Sequence, residues 1–573
     1  MSLNFYKSGV FGLALTVCSF AYGQEPESDV AVFDDDINYT YNFFETDKNF
    51  IEENFELSES YYQLCLNAKP DNPFLYYRLA SIALQRHDLN LAESYIDKCL
   101  EFDDKNEWYL YMAGNIYMYA SKFEKAEKIF NKLIDTKPNE FDFYACLSDI
   151  YIKANNLKKA LSVYNLIEKK FGIDESISIQ KKNVYLKLKK KKNAEAELVK
   201  LVNANPEEEH FKLILADFYV QIGEIEKSIS IYREILKANP NDGFSHLGLA
   251  VCYQYLKDFD NFFAEMNAGF ASTSVACEMK VGILVDMTRD QNLVKEHFDQ
   301  IFKLAELLIQ FYPEDPDANT IYADFQMNRG NIYIARLALQ KVVETRKDKF
   351  GIWEQLLFID NQLVDWNSMF KHSNEALEYF PNVPVFYFFN GISSYQLSRY
   401  EQAKKSLDFG YKILPKNDIL QSDYLTFLGE VYYKLDDKET AYSFFDKLLT
   451  VDPDNLMVMN NYSYYLSLDK ENLQKAKSMS FKTIQKEPEN STYLDTYAWI
   501  LFEMKQYGEA LIYIQKAVEN DISRSGVIIE HYGDILYFNN DLEGAIEQWK
   551  RVKTIGNGSD KLDEKIESGK YIE

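Results

Sequence analysis

Six histidines, at 87, 210, 246, 297, 372 and 531, and six cysteines are the residues of this chain best suited to hold a metal or act as nucleophiles. None falls at a metal-ligand spacing: there is no HExxH and no CxxC, so no pair can close on one ion from a single turn of chain. The phosphate-cradling GxGxxG and GxxxxGK[ST] patterns and the GxSxG nucleophile turn are absent as well. No catalytic residue, cofactor or metal site is named on this reading, and the chain reads as a non-enzyme. A second kind of chemistry remains, the gripping of another polypeptide by aromatic rings that carry polar tips, with amides and carboxylates beside them. The candidates for it are Phe43, Phe74, Tyr77, Trp108, Tyr111, Asn115 and Tyr119 in the first half. In the second half they are Tyr433, Asn460, Tyr464, Asp495, Trp499, Phe502, Glu530 and Asp534.

The elements that must position these residues follow from spacing. The ruler is a 34-residue period. Pro70, Pro138 and Pro206 are each two periods apart, Pro240 follows one period later, and Pro381 and Pro415 are again one period apart. Units of this length laid down from residue 39 start at 39, 73, 107, 141, 175, 209 and 243 without an insertion. Further blocks start at 316, 350 and 384, and at 422, 456, 491 and 526. A small residue recurs at position 8 of the unit (Ala80, Gly114, Ser148, Ala216, Ala250) and alanine at position 20 (Ala92, Ala126, Ala160, Ala194). Tyr117, Tyr151, Tyr185, Tyr219 and Tyr253 keep the same beat at position 11. A period of this length with this pattern is that of the tetratricopeptide repeat, a helix–turn–helix unit. The small positions are expected where helices A and B of a unit cross. The predicted fold is all-α, a right-handed α-solenoid superhelix of about 14–15 helix pairs. In such an array the A helices line the groove, and positions 2, 5, 9, 12 and 13 of each A helix point into it; the binding candidates occupy these positions.

Composition agrees. Thirteen prolines and 22 glycines in 573 residues are too few for a turn-dense β-fold, and 47% apolar residues are too many for a disordered chain. The net charge of −26 argues against a nucleic-acid binder.

Residues 1–23 read as a secretory signal peptide, with Lys7, an apolar run from Val10 to Cys18, and a small-x-small site at Ala21-Tyr22-Gly23. This implies a periplasmic product. The alternative is an outer-membrane lipoprotein anchored at Cys18, although Val17 stands where such leaders place a small residue. The remaining expectations are a flexible lead (24–38), an N-terminal arm (39–276), a degenerate helix pair as joint (277–315), a C-terminal arm (316–559) and a capping helix with tail (560–573). A change of superhelical path is expected near 255–315. Cys65 and Cys99, one repeat period apart, read as buried thiols rather than a disulfide framework. The lysines from 187 to 192 fall at an A–B turn and read as a solvated edge, with anionic lipid or an acidic partner as the functional alternative.

Three stretches near the C-terminus carry a closer likeness: Asn460 to Leu466, Tyr493 to Phe502 and Glu530 to Leu536. They resemble the tail of bacterial cell-envelope tetratricopeptide-repeat proteins, including adaptors for carboxyl-terminal processing proteases. The low proline and high Tyr, Asn, Lys and Ile content resembles that of Bacteroidetes proteins. The resemblance implies a periplasmic scaffold that binds protein or peptide segments, with a processing protease and a murein hydrolase as the implied partners. Two other readings stay open: an assembly subunit of an outer-membrane secretion, gliding or lipoprotein-transport machine, and a glycan-processing enzyme. The enzyme would need acids converging on a pocket, whereas repeat spacing already accounts for most acids here.

Overall fold

The computed structural model describes residues 35–573, so the leader at 1–23, Cys18 and the lead up to Asp34 lie outside it. Among the described residues there are 31 helices and no strand. The A helices begin where the repeat units begin: Pro73–Gln85, Glu107–Tyr119, Phe141–Lys153, Glu175–Lys187, Glu209–Ile222 and Gly243–Leu256, and later Pro316–Asn328, Phe350–Gln362 and Pro384–Gln396. The first helix, Asp35–Ile51, starts one turn ahead of its unit, so the last residues assigned to the lead are helical.

Local chemistry explains these boundaries. Pro73, Pro316 and Pro384 occupy the first turn of their helices, where a missing N–H costs nothing. Asn72, Asn106 and Asn490 accept a hydrogen bond from the first turn of the A helices they precede. At the A–B turns from 87 to 257 one residue takes a left-handed φ: His87, Ser121, Asn155, Lys189, Gly223 and Lys257, each one repeat period after the last. The next residue often caps helix B, as Asp88, Asn156, Asp258, Asp365 and Asp541 do.

Packing within a unit shows what the small residues are for. Ala80, Ala92, Ala126 and Ala160 are fully buried. A Cβ added to Gly114 would lie 2.4 Å from the Phe130 ring, and one added to Gly533 would lie 2.6 Å from Trp549. Phe130 and Trp549 both stand at position 24, so position 8 is kept small chiefly to seat the large side chain at 24. The expected crossing partner, position 20, is a buried alanine that closes the same layer.

The helices form two compact units, one ending at Ala276 and the other beginning at Cys277. The first closes without the usual proline. Instead Ser272 donates to Asn241 O at 2.7 Å, and Ser274 Oγ accepts from Gly243 N at 3.0 Å. The second opens with Cys277–Arg289 and Gln291–Phe311, separated at Asp290, whose carboxylate accepts from the amides of Asn292 and Leu293. The longer helix kinks at His297 (φ −131°, ψ 28°). Cys65 and Cys99 are fully buried free thiols, and burial pushes their pKa values up to about 11 and about 12.

Candidate partner-binding face

On the A-helix face of the first unit the candidates form a ladder of rings. Phe43 lies 5.9 Å from Phe74, Phe74 lies 6.3 Å from Tyr77, and Tyr77 lies 5.1 Å from Tyr109. All three candidates are half-buried. Tyr111 packs against Phe143 at 6.2 Å and accepts from Cys146 Sγ at 3.7 Å, and burial pushes its pKa up to about 12. Asn115 spends its amide nitrogen on Tyr111 O at 3.0 Å. Trp108 and Tyr119, at the two ends of the same helix, stand out from this ladder with 70% and 57% of their surface exposed.

Acids on this face divide into two kinds. Asp47 at position 9 accepts from Tyr62 at 3.0 Å and from Arg78 at 2.6 Å, and Asp217, also at position 9, accepts from Tyr232. Asp534 repeats the arrangement, accepting from Trp549 Nε1 at 2.9 Å. In each case the aromatic donor stands at position 24, on helix B of the same unit, so these acids satisfy a buried polar tip rather than wait for a partner. Asp149 also faces an aromatic at position 24, Tyr164, but no hydrogen bond joins them. Asp149 is exposed, yet desolvation by the neighbouring protein raises its pKa.

The C-terminal candidates are arranged differently. Trp499 is stacked 4.0 Å from His531 and 4.7 Å from Phe502, and His531 Nδ1 lies 2.9 Å from Asp495. Tyr464 sits close enough for the Asp495 charge to add to burial in raising its pKa. The structure thus brings Tyr464, Asp495, Trp499, Phe502, Glu530 and Asp534 together on three successive A helices. Tyr433 belongs to another group, stacked 3.9 Å from Tyr465. Asn460 is buried, with no hydrogen-bond partner for its Oδ1.

Within this cluster Phe502, Glu530 and Asp534 are buried beneath the chain's own tail. The short helix Leu562–Ser568 and the residues after it turn back onto the A-helix face. Lys565 donates to Glu530 at 2.9 Å and to Asp534 at 2.7 Å and is itself buried. Ser559 donates to Glu530 through its backbone N–H at 2.7 Å and through its hydroxyl. The Tyr571 ring lies 5.8 Å from Phe502 and 5.2 Å from Phe538, and Glu573 pairs with Lys470. Burial pushes Glu530 up, but the bonds from Ser559 and Lys565 outweigh it and hold the carboxyl below its ordinary value. For Asp534 burial prevails over Lys565 and the pKa is raised. Burial would lower His531, yet Asp495, with Asp534 and Glu530, raises it on balance. The helix expected as a polar cap therefore also fills the face it caps.

The position 9 and position 24 pairing was only partly open to sequence reading: Asp47/Tyr62, Asp217/Tyr232 and Asp534/Trp549 share one spacing, but so do Asp149 and Tyr164, which are not bonded. Among the described residues no three His, Cys, Asp or Glu side chains are placed to hold a metal ion, and no helix is long and apolar enough to cross a membrane.

Models of the tetratricopeptide repeat match residues 75–106, 210–242 and 422–455, and a second such model matches 111–172. No curated protein matches the chain. Among solved structures, it is similar to the APC/C hetero-tetramer Cut9-Hcn1 (11% identity, TM-score 0.37), covering 88% of this chain and 99% of that one. It is also similar to yeast Tom70 (15%, TM-score 0.30), covering 87% and 94%, and to Naa15/Naa10 bound to HypK-THB (12%, TM-score 0.35), covering 91% and 92%. With helix pairs continuing between and beyond the matched segments, the chain carries tetratricopeptide repeats.

Proposed function

We propose that the chain is a non-catalytic scaffold of the cell envelope that holds extended protein segments on the A-helix face of its first unit. In this reading the 1–23 leader sends it to the periplasm, and the scaffold brings a processing protease together with a cell-wall hydrolase. The observation that carries the binding role is the pair Trp108 and Tyr119. Two large amphipathic rings stand exposed on one A helix, Tyr119 with the Lys153 ammonium 5.5 Å over its ring, and Asn115 between them offers its carbonyl oxygen. Such rings lose little conformational entropy on contact and dominate binding energy where they are buried by a partner. The equivalent face at the end of the second unit is covered by the chain's own tail.

Affinity purification from envelope extracts with mass spectrometry tests this. Trp108→Ala with Tyr119→Ala is expected to lower partner recovery at least about tenfold, as loss of two binding anchors does. Tyr464→Ala with Trp499→Ala, on the covered face, is expected to leave recovery unchanged. The reverse pattern would transfer binding to the second unit and overturn the assignment.

A further inference from the structure

One charged surface is left over once the A-helix face is assigned. The chain carries a net −26, yet three consecutive A–B turns, 119–125, 153–159 and 187–193, hold ten lysines against a single acid, Glu124. Repeat register places them along one edge. Their left-handed residues Ser121, Asn155 and Lys189 recur once per repeat period. Bonds across units show that successive turns adjoin: Lys122 reaches Glu93 behind the turn before it, Lys159 reaches Glu127, and Lys191 donates to Ile222 O in the turn that follows.

The turn at 187–193 differs from its neighbours in one respect. In the units starting at 73, 107 and 175, position 21 of helix B is an acid that pairs with lysines of the next turn. Glu93 takes Lys122 at 2.5 Å and Lys125 at 3.3 Å, Glu127 takes Lys159 at 2.8 Å, and Glu195 takes Lys227 at 2.9 Å. The residue at this position facing 187–193 is Leu161. Lys187, Lys189, Lys190 and Lys192 are all exposed. Glu195 acts on Lys192 only through space, because its own bonds go to Lys227 and Tyr219.

We infer that this edge docks the chain on an anionic lipid surface, with Lys187, Lys189, Lys190 and Lys192 nearest the headgroups. The three turns carry no arginine, the residue that clasps single carboxylates or phosphates in a fixed two-bond geometry. Lysines are compact, strongly hydrated charges on flexible stems, and they suit a diffuse negative plane. Each lysine within about 10 Å of a charged bilayer at 0.1 M salt adds to the attraction. The acidic remainder of the chain is repelled by the same surface, which favours an edge-on orientation. None of this depends on what the A-helix face holds.

The test is co-sedimentation of the full chain with phosphatidylglycerol vesicles, phosphatidylcholine vesicles and poly-glutamate. The wild type is compared with the quadruple variant K187Q/K189Q/K190Q/K192Q and with a control of equal net charge, K237Q/K303Q/K416Q/K482Q. The expected result is salt-sensitive binding to phosphatidylglycerol vesicles, weakened at least about tenfold in the first variant and by less than about threefold in the control. A second variant, Leu161→Glu, restores the missing acid opposite Lys190 and is expected to weaken binding severalfold. Three results would each overturn the inference: no binding by the wild type, equal losses in variant and control, or tighter binding to poly-glutamate than to the vesicles. The last would point to an acidic protein instead.

Discussion

Replacing Lys565 with methionine keeps most of the side-chain volume and removes the charge between Glu530 and Asp534. Both carboxylates are buried, and Lys565 is the cation that bonds them both. Breaking a buried, hydrogen-bonded charge pair on one side costs about 3–5 kcal/mol, because the other side is left uncompensated. The chain need not bear that cost as global unfolding. The tail can peel away and let water reach Glu530 and Asp534, so the loss is capped at the free energy that holds residues 559–573 in place. The expected outcome is a shift of about 10²- to 10³-fold in the balance between open and docked tail, with only a small change in the main melting transition. Limited trypsin digestion at Lys561 and Lys570, followed by mass spectrometry, reads that opening equilibrium when opening is fast relative to cleavage.

The pH dependence provides an internal check on the same variant. In the wild type, Glu530 is held below its ordinary value, so its contribution is present above the unfolded carboxylate pKa and is lost as pH falls through the folded one. Asp534 is raised and works in the opposite sense, favouring the docked state as it takes up a proton. In the variant both carboxyls lack the lysine, so acid should relieve the penalty. The gap between variant and wild type should narrow from pH 7.5 to pH 4.5. Unchanged tail cleavage at neutral pH, or a gap that does not narrow in acid, would refute the role given to Lys565.

Three further outcomes are expected. Ala126→Leu should destabilise the unit at 107 by about 1–3 kcal/mol, because the site is fully buried and a larger side chain strains the layer; denaturant unfolding measures it. Val364 is a β-branched residue held at φ 55° with 62% of its surface exposed, so Val364→Asn should stabilise the chain by about 1 kcal/mol, seen as a higher denaturation midpoint. The raised pKa of His531 means that its stabilising effect is fully present below about pH 6.5 and is lost as pH rises through the folded value. Melting temperature should therefore fall from pH 6 to pH 9 in the wild type and fall less in His531→Gln.

The helix pairs were legible because every unit repeats the same packing problem. One small residue on helix A must seat one large residue on helix B, and the repeat beat carries that constraint through Gly114/Phe130 and Gly533/Trp549 alike. The ring ladder from Phe43 to Tyr77 followed from the same register. The covering of Glu530 and Asp534 did not, because Lys565 and Tyr571 lie outside the repeat and meet partners one to two repeats back in the chain. A segment without a period offers no register from which to read its contacts. The lysine run was visible, but the reason for its free charge was not, since Leu161 looks ordinary until Glu93, Glu127 and Glu195 are seen gripping lysines at the equivalent position.

The pairing of Glu573 with Lys470 sets the exit point of the polypeptide. Anything joined beyond Glu573, whether a reporter, a purification handle or further natural sequence, emerges beside the helix Leu456–Leu468, two repeats back from the last one. Such an extension is launched across the wall of A helices instead of trailing off the end of the stack. A carboxyl-terminal fusion would therefore sample that wall at high local concentration, while an insertion at an outward turn would not.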